Sequence, residues 1–242
     1  AMDVARFGDY ASPQYGTIKS SENYERRFIM TFPNETLPKG RKQKTTALYD
    51  RFVNQGAVMG DSFGLENVLW FANNKEDAHE EPTIKRSRSH DYVSKEVINV
   101  RENVGLIEVA NFSKHEFKGP DARKFLDHIM AGRLPKPGRI SLSPMLSYRG
   151  KLCGDLTVAC LDENEFMVFG SGAAQEMHRR WFESHLGKFN LSYSNRSDEY
   201  HGLSIAGPNS RKVLEKIVRD DVSNEKFKFR DSRRMFVGGV PA

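Results

Sequence analysis

One pattern is written twice in the chain, and it limits the fold more than any other feature. Gly119-Pro-Asp-Ala-Arg-Lys-Phe-Leu-Asp-His-Ile129 is echoed by Gly207-Pro-Asn-Ser-Arg-Lys-Val-Leu-Glu-Lys-Ile217. Each copy follows a β-like run, Glu116 to Lys118 in the first case and Leu203 to Ala206 in the second. Gly-Pro makes a corner, and Asp121 or Asn209 stands where a helix N-cap belongs. Phe125, Leu126 and Ile129, or Val213, Leu214 and Ile217, then fall on one helical face. Two strand-corner-helix units predict an α+β domain with pseudo-repeated halves.

Between the copies lies the most β-rich segment, Arg139 to Gly170. Ser141 to Ser147 leads to a turn at Tyr148-Arg149-Gly150, Leu152 to Leu161 alternates, and Asp162-Glu163-Asn164 turns into Glu165 to Gly170. The spacing predicts a three-strand meander. A helix over Ala173 to Leu186 would put Met177, Trp181, Phe182 and Leu186 on one side. Leu191 to Ser194 and Gly202 to Ile205 read as further strands. Antiparallel hairpins outnumber βαβ units, so the expected class is α+β, antiparallel sheets flanked by helices.

The first hundred residues are less periodic. Ser20 to Arg27 predicts a short helix capped by Ser20 or Ser21, and Phe32 to Gly40 breaks regular structure. Thr46 to Asn54 has helical spacing with Gly56 as a stop. Leu65 to Phe71 is apolar, with Trp70-Phe71 as core or pocket wall, and Asn73 to Ser89 reads as an exposed loop. Tyr92 to Val104 predicts a helix ending at a left-handed Gly105, followed by β character from Leu106 to Lys118.

With 242 residues, 38% of them hydrophobic and 29% charged, the chain reads as globular, one large domain or two small ones. No apolar run approaches the ~20 residues of a membrane span. No signal-peptide stretch opens the chain, so a cytoplasmic location is expected. The net charge of +5 gathers in Lys39 to Lys44 and Lys85 to Arg88. No stacking pattern or recognition helix accompanies it, so solvated loops or attraction of an anionic ligand is expected rather than nucleic acid. Cys153 and Cys160 lie on opposite faces of one strand, which disfavours a disulfide or a shared metal. His115, His128, His178, His185 and His201 have no ligand spacing and read as surface or structural groups. Phosphate-loop, GxGxxG, GxSxG and HExxH motifs are absent.

Asp155 is the site candidate that the residues themselves suggest. It interrupts the apolar strand Leu152-Cys-Gly-Asp-Leu-Thr-Val-Ala-Cys-Leu161, where a carboxylate is costly unless it is paired or faces a polar pocket. Gly154 beside it would let a ligand approach closely. Across the hairpin, Met167 and Phe169 share one face. An acid between Met and Phe suits a flat, nitrogen-rich heterocycle; an edge-strand Asp facing water is the plainer alternative.

The run Ser143-Pro-Met-Leu-Ser-Tyr-Arg-Gly-Lys-Leu-Cys-Gly-Asp-Leu-Thr-Val158 resembles the hairpin signature of the aminomethyltransferase, or glycine-cleavage T-protein, family. Thr46-Ala-Leu-Tyr-Asp-Arg-Phe, Val104-Gly-Leu-Ile-Glu-Val-Ala and Leu203-Ser-Ile-Ala-Gly-Pro-Asn-Ser resemble its other conserved stretches, in the same order. Asp3-Val-Ala-Arg-Phe-Gly, Glu22-Asn-Tyr-Glu-Arg-Arg-Phe, Phe32-Pro-Asn-Glu and Leu69-Trp-Phe-Ala resemble fused flavoenzymes of the dimethylglycine and sarcosine dehydrogenase kind.

The resemblance implies residues 1–45 as a connector from a flavin oxidase module and 46–242 as a partial T-protein-like folate-binding domain, incomplete at its C-terminal end. It implies that an FAD-bearing module oxidises an N-methyl amine and that tetrahydrofolate captures the one-carbon unit as methylenetetrahydrofolate; a folate-dependent aminomethyltransferase or demethylase acting on another methyl donor, and a non-catalytic folate-binding regulatory module, are the alternatives. Asp155 falls on the family's essential acid, which would hydrogen-bond a folate nitrogen and is best partly desolvated. Leu142, Met167 and Phe169 fall where the family lines the pterin pocket, with Phe229 as a further wall. The partners implied are folate and the flavin module, and the location is the mitochondrial matrix if the source is eukaryotic. The sequence departs from the family where Tyr148-Arg149-Gly150 and Gly154-Asp155 replace paired acids or glycines, and at Met167, where an aromatic is usual. The family's later acidic pterin anchor has no counterpart before Ala242.

Overall fold

The structure is a computed structural model that describes residues 7–33 and 35–242. Asp3 to Arg6 and Asn34, parts of the flavoenzyme-like stretches, lie outside the described residues. The chain divides into two compact units, residues 1–111 with 203–208 and residues 112–202 with 209–242.

In the first unit, α1 spans Pro13–Glu25. It starts earlier than the Ser20 expected, because Pro13 sits at the first turn and Ser12 Oγ accepts the Tyr15 N–H at 3.2 Å. The helix buries only Glu22, whose carboxylate accepts Lys39 N–H at 2.7 Å and Lys19 Nζ at 3.0 Å. Next, α2 (Tyr49–Asn54) stops before Gly56, whose φ of +89° no side chain favours. A Cβ there would lie 2.4 Å from the Ala72 carbonyl oxygen.

Strands β1 (Ala57–Ser62) and β2 (Leu65–Phe71) form a hairpin closed at Ser62↔Leu65. Phe63 and Gly64 both have positive φ, 52° and 80°, as a two-residue primed turn requires. Trp70 belongs to the small core of this unit with Val58 and Ala72, its ring 5.0 Å from that of Tyr92. Tyr92 comes from α3, which spans Ser89–Glu102. Gly105 does not end that helix in a left-handed conformation. It opens β3 (Gly105–Glu108), and a Cβ on it would meet Val100 Cγ2 at 2.3 Å, so close packing explains the glycine. The expected β run from Leu106 to Lys118 is two strands, β3 and β4 (Phe112–Lys118).

The second unit is built on a five-stranded antiparallel sheet. The meander β5 (Arg139–Leu146), β6 (Leu152–Asp162) and β7 (Glu165–Ser171) continues through β4 to β8 (Ser192–Asn195), in the order β5-β6-β7-β4-β8. Helices α4 (Ala122–Ile129) and α5 (Gln175–Leu186) are preceded by the Gly119 corner and by a 3-10 turn at Gly172–Ala174, respectively. Phe125, Leu126 and Ile129 of α4 and Phe182 of α5 join Leu156, Val158, Phe166 and Phe117 in one core. The Phe117 ring stands 5.5 Å from Phe125 and 5.1 Å from Phe182. Burying one such ring contributes about 1.5–3 kcal/mol. On α5 the buried positions are His178 and Phe182, while Met177 of the expected stripe is exposed.

Both Gly-Pro-Asx corners are formed. Gly119 and Gly207 have φ of 138° and 114°, and strand β9 (Leu203–Ala206), paired with β3, feeds the second. Helices α4 and α6 (Ser210–Ile217) have the same length, and each is followed by an extended residue, Met130 or Val218. Those residues make equivalent antiparallel bridges, Met130↔Met145 and Val218↔Val237. Asp121 and Asn209 occupy the cap positions without capping through their side chains. The Asp121 carboxylate instead accepts the Asn190 N–H at 2.9 Å.

Candidate functional site

Strand register decides which side chains share a surface, because neighbours along a strand point to opposite faces. Leu156, Val158 and Cys160 of β6 are fully buried in the core. Asp155 and Thr157 therefore point to the other face. Two rows run across that face: Leu142 opposite Thr157, Phe169 and Lys114, and Ile140 opposite Ala159, Met167 and Glu116. Asp155 sits one step along, opposite Pro144 of β5.

Four of the five residues singled out from sequence thus lie on one surface: Asp155, Leu142, Met167 and Phe169. Leu142 is 63% exposed, Phe169 is half-buried and Met167 is buried. Asp155 is exposed rather than desolvated, and among the described residues its carboxylate has no hydrogen-bonding or ion-pair partner. Phe229, 83% exposed, is not on these strands. It belongs to the segment docked along the outer edge of β5, where Ile140 donates its N–H to the Arg230 carbonyl at 2.9 Å.

Gly154 does not serve as expected. It faces the core, and a Cβ on it would meet His178 Nε2 at 2.8 Å, so the group that approaches is a protein imidazole. His178 and His115 are both buried, their ring centroids 6.3 Å apart. Burial pushes the His115 pKa down to about 3, with a lesser contribution from His178, so the ring is neutral at ordinary pH. His115 Nδ1 lies 2.9 Å from the Tyr193 hydroxyl. Among the described residues no group of three or more His, Cys, Asp or Glu is placed to hold a metal ion, and both cysteines are free.

Sequence reasoning missed two charged groups on the Asp155 face. Lys114 is buried, and Nζ donates to the Phe112 carbonyl at 2.7 Å; burial lowers its pKa. Glu116 is buried against Lys118 Nζ at 2.9 Å. The alternation Phe112, Lys114, Glu116, Lys118 against Ser113, His115, Phe117 was the available signal. A separate pocket in the first unit is lined by Arg26, Glu35, Glu80, Thr83 and neighbours, and by none of the residues above.

Residues 48–242 match the family model described as the GCVT N-terminal domain, and residues 1–46 match the FAD dependent oxidoreductase central domain. Mitochondrial dimethylglycine dehydrogenase of Mus musculus is 32% identical over 244 residues, covering 99% of this chain and 28% of that protein. An aminomethyltransferase of Staphylococcus epidermidis is 28% identical over 196 residues, covering 80% of this chain and 49% of that protein. The chain thus spans about a quarter to a half of the curated relatives it matches. The crystal structure of the glycine cleavage system aminomethyltransferase T from Bartonella henselae superimposes with a TM-score of 0.64 at 21% identity, over 78% of this chain and 47% of that one. The antiparallel sheet flanked by helices is therefore the aminomethyltransferase fold, and the chain belongs to the GCVT N-terminal domain family.

Proposed function

We propose that this chain is part of an FAD- and tetrahydrofolate-dependent N-methylglycine dehydrogenase, acting on dimethylglycine or sarcosine. Within it, residues 46–242 help to bind tetrahydrofolate and residues 1–45 connect to the flavin module. The observation that carries this reading is the shared face of Asp155, Leu142, Phe169 and Met167 on the sheet of a GCVT-family domain. The match of residues 1–46 to an oxidoreductase domain favours the fused flavoenzyme over a free-standing aminomethyltransferase.

The residues present suit the ligand. An exposed carboxylate without a protein partner can accept an N–H from a heterocycle, and Leu142 and Phe169 offer apolar surface for a flat ring. When bound, tetrahydrofolate supplies the nitrogen nucleophile that takes up the one-carbon unit to give methylenetetrahydrofolate. Asp155 would accept a hydrogen bond from that nitrogen's N–H, keep its lone pair available and receive its proton. Leu142, Phe169 and Met167 would orient the ring and exclude water from one side, and Phe229 would close the outer edge. The flavin module would be the partner within the same protein, in the cytoplasm or, in a eukaryote, the mitochondrial matrix.

The test uses the full-length protein. Asp155→Ala is expected to leave amine oxidation intact while the one-carbon unit escapes as formaldehyde even at saturating tetrahydrofolate. If the folate-dependent fall in formaldehyde release is the same in wild type and variant, the assignment of Asp155 is wrong.

A further inference from the structure

The β6–β7 ladder runs from Thr157↔Phe169 to Asp162↔Glu165. Residues 152–156 lie beyond its end and pair on one side only, with β5, where the register also shifts between Met145 and Leu146. The candidate acid therefore sits on a strand end that has lost half of its backbone support. Such an end is free to shift unless something else fixes it.

His178 stands directly behind it. The side chain is 2% exposed and comes from α5, on the core side of the sheet. Its ring fits between two glycines on neighbouring strands: a Cβ at Gly154 would lie 2.8 Å from Nε2, and a Cβ at Gly170 would lie 3.0 Å from Nδ1. Burial lowers its pKa, so the ring is neutral, and among the described residues Nδ1 has no hydrogen-bond partner.

We propose that His178 is a positioning residue for Asp155. By filling the space that Gly154 and Gly170 leave, it takes over, by packing, the support that β7 gives the rest of β6. The Cys153–Asp155 backbone is thereby held so that the carboxylate projects from the opposite face. This rests on the folate reading of Asp155. It adds that the site depends on a group on the far side of the sheet, which cannot touch the ligand.

The experiment uses the full-length protein with Asp155→Ala, His178→Ala and His178→Phe. His178→Ala empties the space between the two glycines, and Phe refills it with a ring of similar size. Amine oxidation by the flavin module is the internal control for folding. Loss of alignment of about 1 Å costs up to about a hundredfold, so His178→Ala is expected to lower folate capture at saturating tetrahydrofolate at least about tenfold. Phe should recover most of that loss. Amide hydrogen exchange over residues 152–156 should rise in Ala and return in Phe. If Asp155→Ala changes nothing, the folate reading itself has failed. If Asp155→Ala abolishes capture while His178→Ala changes neither capture nor exchange, the folate reading stands and the role of His178 is refuted. Should His178→Ala fail to fold, His178→Asn, which empties less of the space, takes its place: lowered capture with faster exchange supports the role, and wild-type capture and exchange overturn it.

Discussion

Asp155 and Leu156 are neighbours whose side chains leave opposite faces of β6, and this makes a sharp test of register. Leu156 is fully buried. Leu156→Ala removes roughly three methylene equivalents, worth about 2.4 kcal/mol of transfer free energy at about 0.8 kcal/mol each. The cavity adds to that, and buried Leu→Ala changes fall at about 2.7–5.0 kcal/mol. Little collapse is expected, because Leu156 Cδ2 lies 2.6 Å from where a Gly170 Cβ would be and the surrounding sheet is paired. A destabilisation of about 3–4 kcal/mol follows. Asp155→Ala removes an exposed, unpartnered carboxylate and should stay within about 0.5 kcal/mol of wild type. The assay is a urea titration followed by Trp181 fluorescence, with Trp70→Phe as background so that the signal comes from the second unit. With a slope of about 3 kcal/mol per molar urea, Leu156→Ala moves the midpoint down by about 1 M and Asp155→Ala leaves it in place. A large shift in Asp155→Ala with Leu156→Ala near wild type would mean that β6 is out of register by one residue, and the grouping of Asp155 with Leu142, Phe169 and Met167 would fall with it.

Two further outcomes are expected. Gly119→Ala should cost about 1–3 kcal/mol, since φ is +138° and the new Cβ would lie 2.7 Å from Leu191 Cα; Gly150→Ala, with open space around it, should cost less, and thermal melts rank the two. Below pH 6.5 the unfolded chain protonates His115 while the folded chain does not, so stability falls by up to about 1.4 kcal/mol per pH unit as pH drops towards 3 and is fully present above 6.5. His115→Phe should flatten that slope in urea titrations between pH 4 and 7, and an unchanged slope would show that the buried ring is not responsible.

The meander, the two Gly-Pro-Asx corners and the common face of Met167 and Phe169 were legible because period and turn chemistry are local; Leu142 was pointed to only by the family resemblance. Other features were not, for identifiable reasons. Ser12 and Pro13 carry a helix start, but they precede a stretch with no apolar stripe, since α1 is anchored through Glu22 rather than through a hydrophobic face. His115 and His178 have the composition of surface residues; only tertiary packing reveals that Phe182, at 5.0 Å from His115, encloses them. Gly154 was readable in principle, because alternation already places it on the face opposite Asp155. The close approach was assigned to the wrong partner. Phe229 depends on a contact between Ile140 and Arg230, ninety positions apart in sequence, which no local pattern encodes.

The segment along the outer edge of β5 has a consequence for solubility. Ile140 and Gly138 spend their backbone groups on Arg230 and Ser232, and Arg139 bridges Asp231. An edge strand that carries Leu142 and Leu146 on a row of open amides would be a template for another chain. Residues 228–232 act as a guard for it. Whatever loosens them exposes a sticky edge, so proteolysis or substitution in this stretch should show first as association between molecules and only later as loss of the fold.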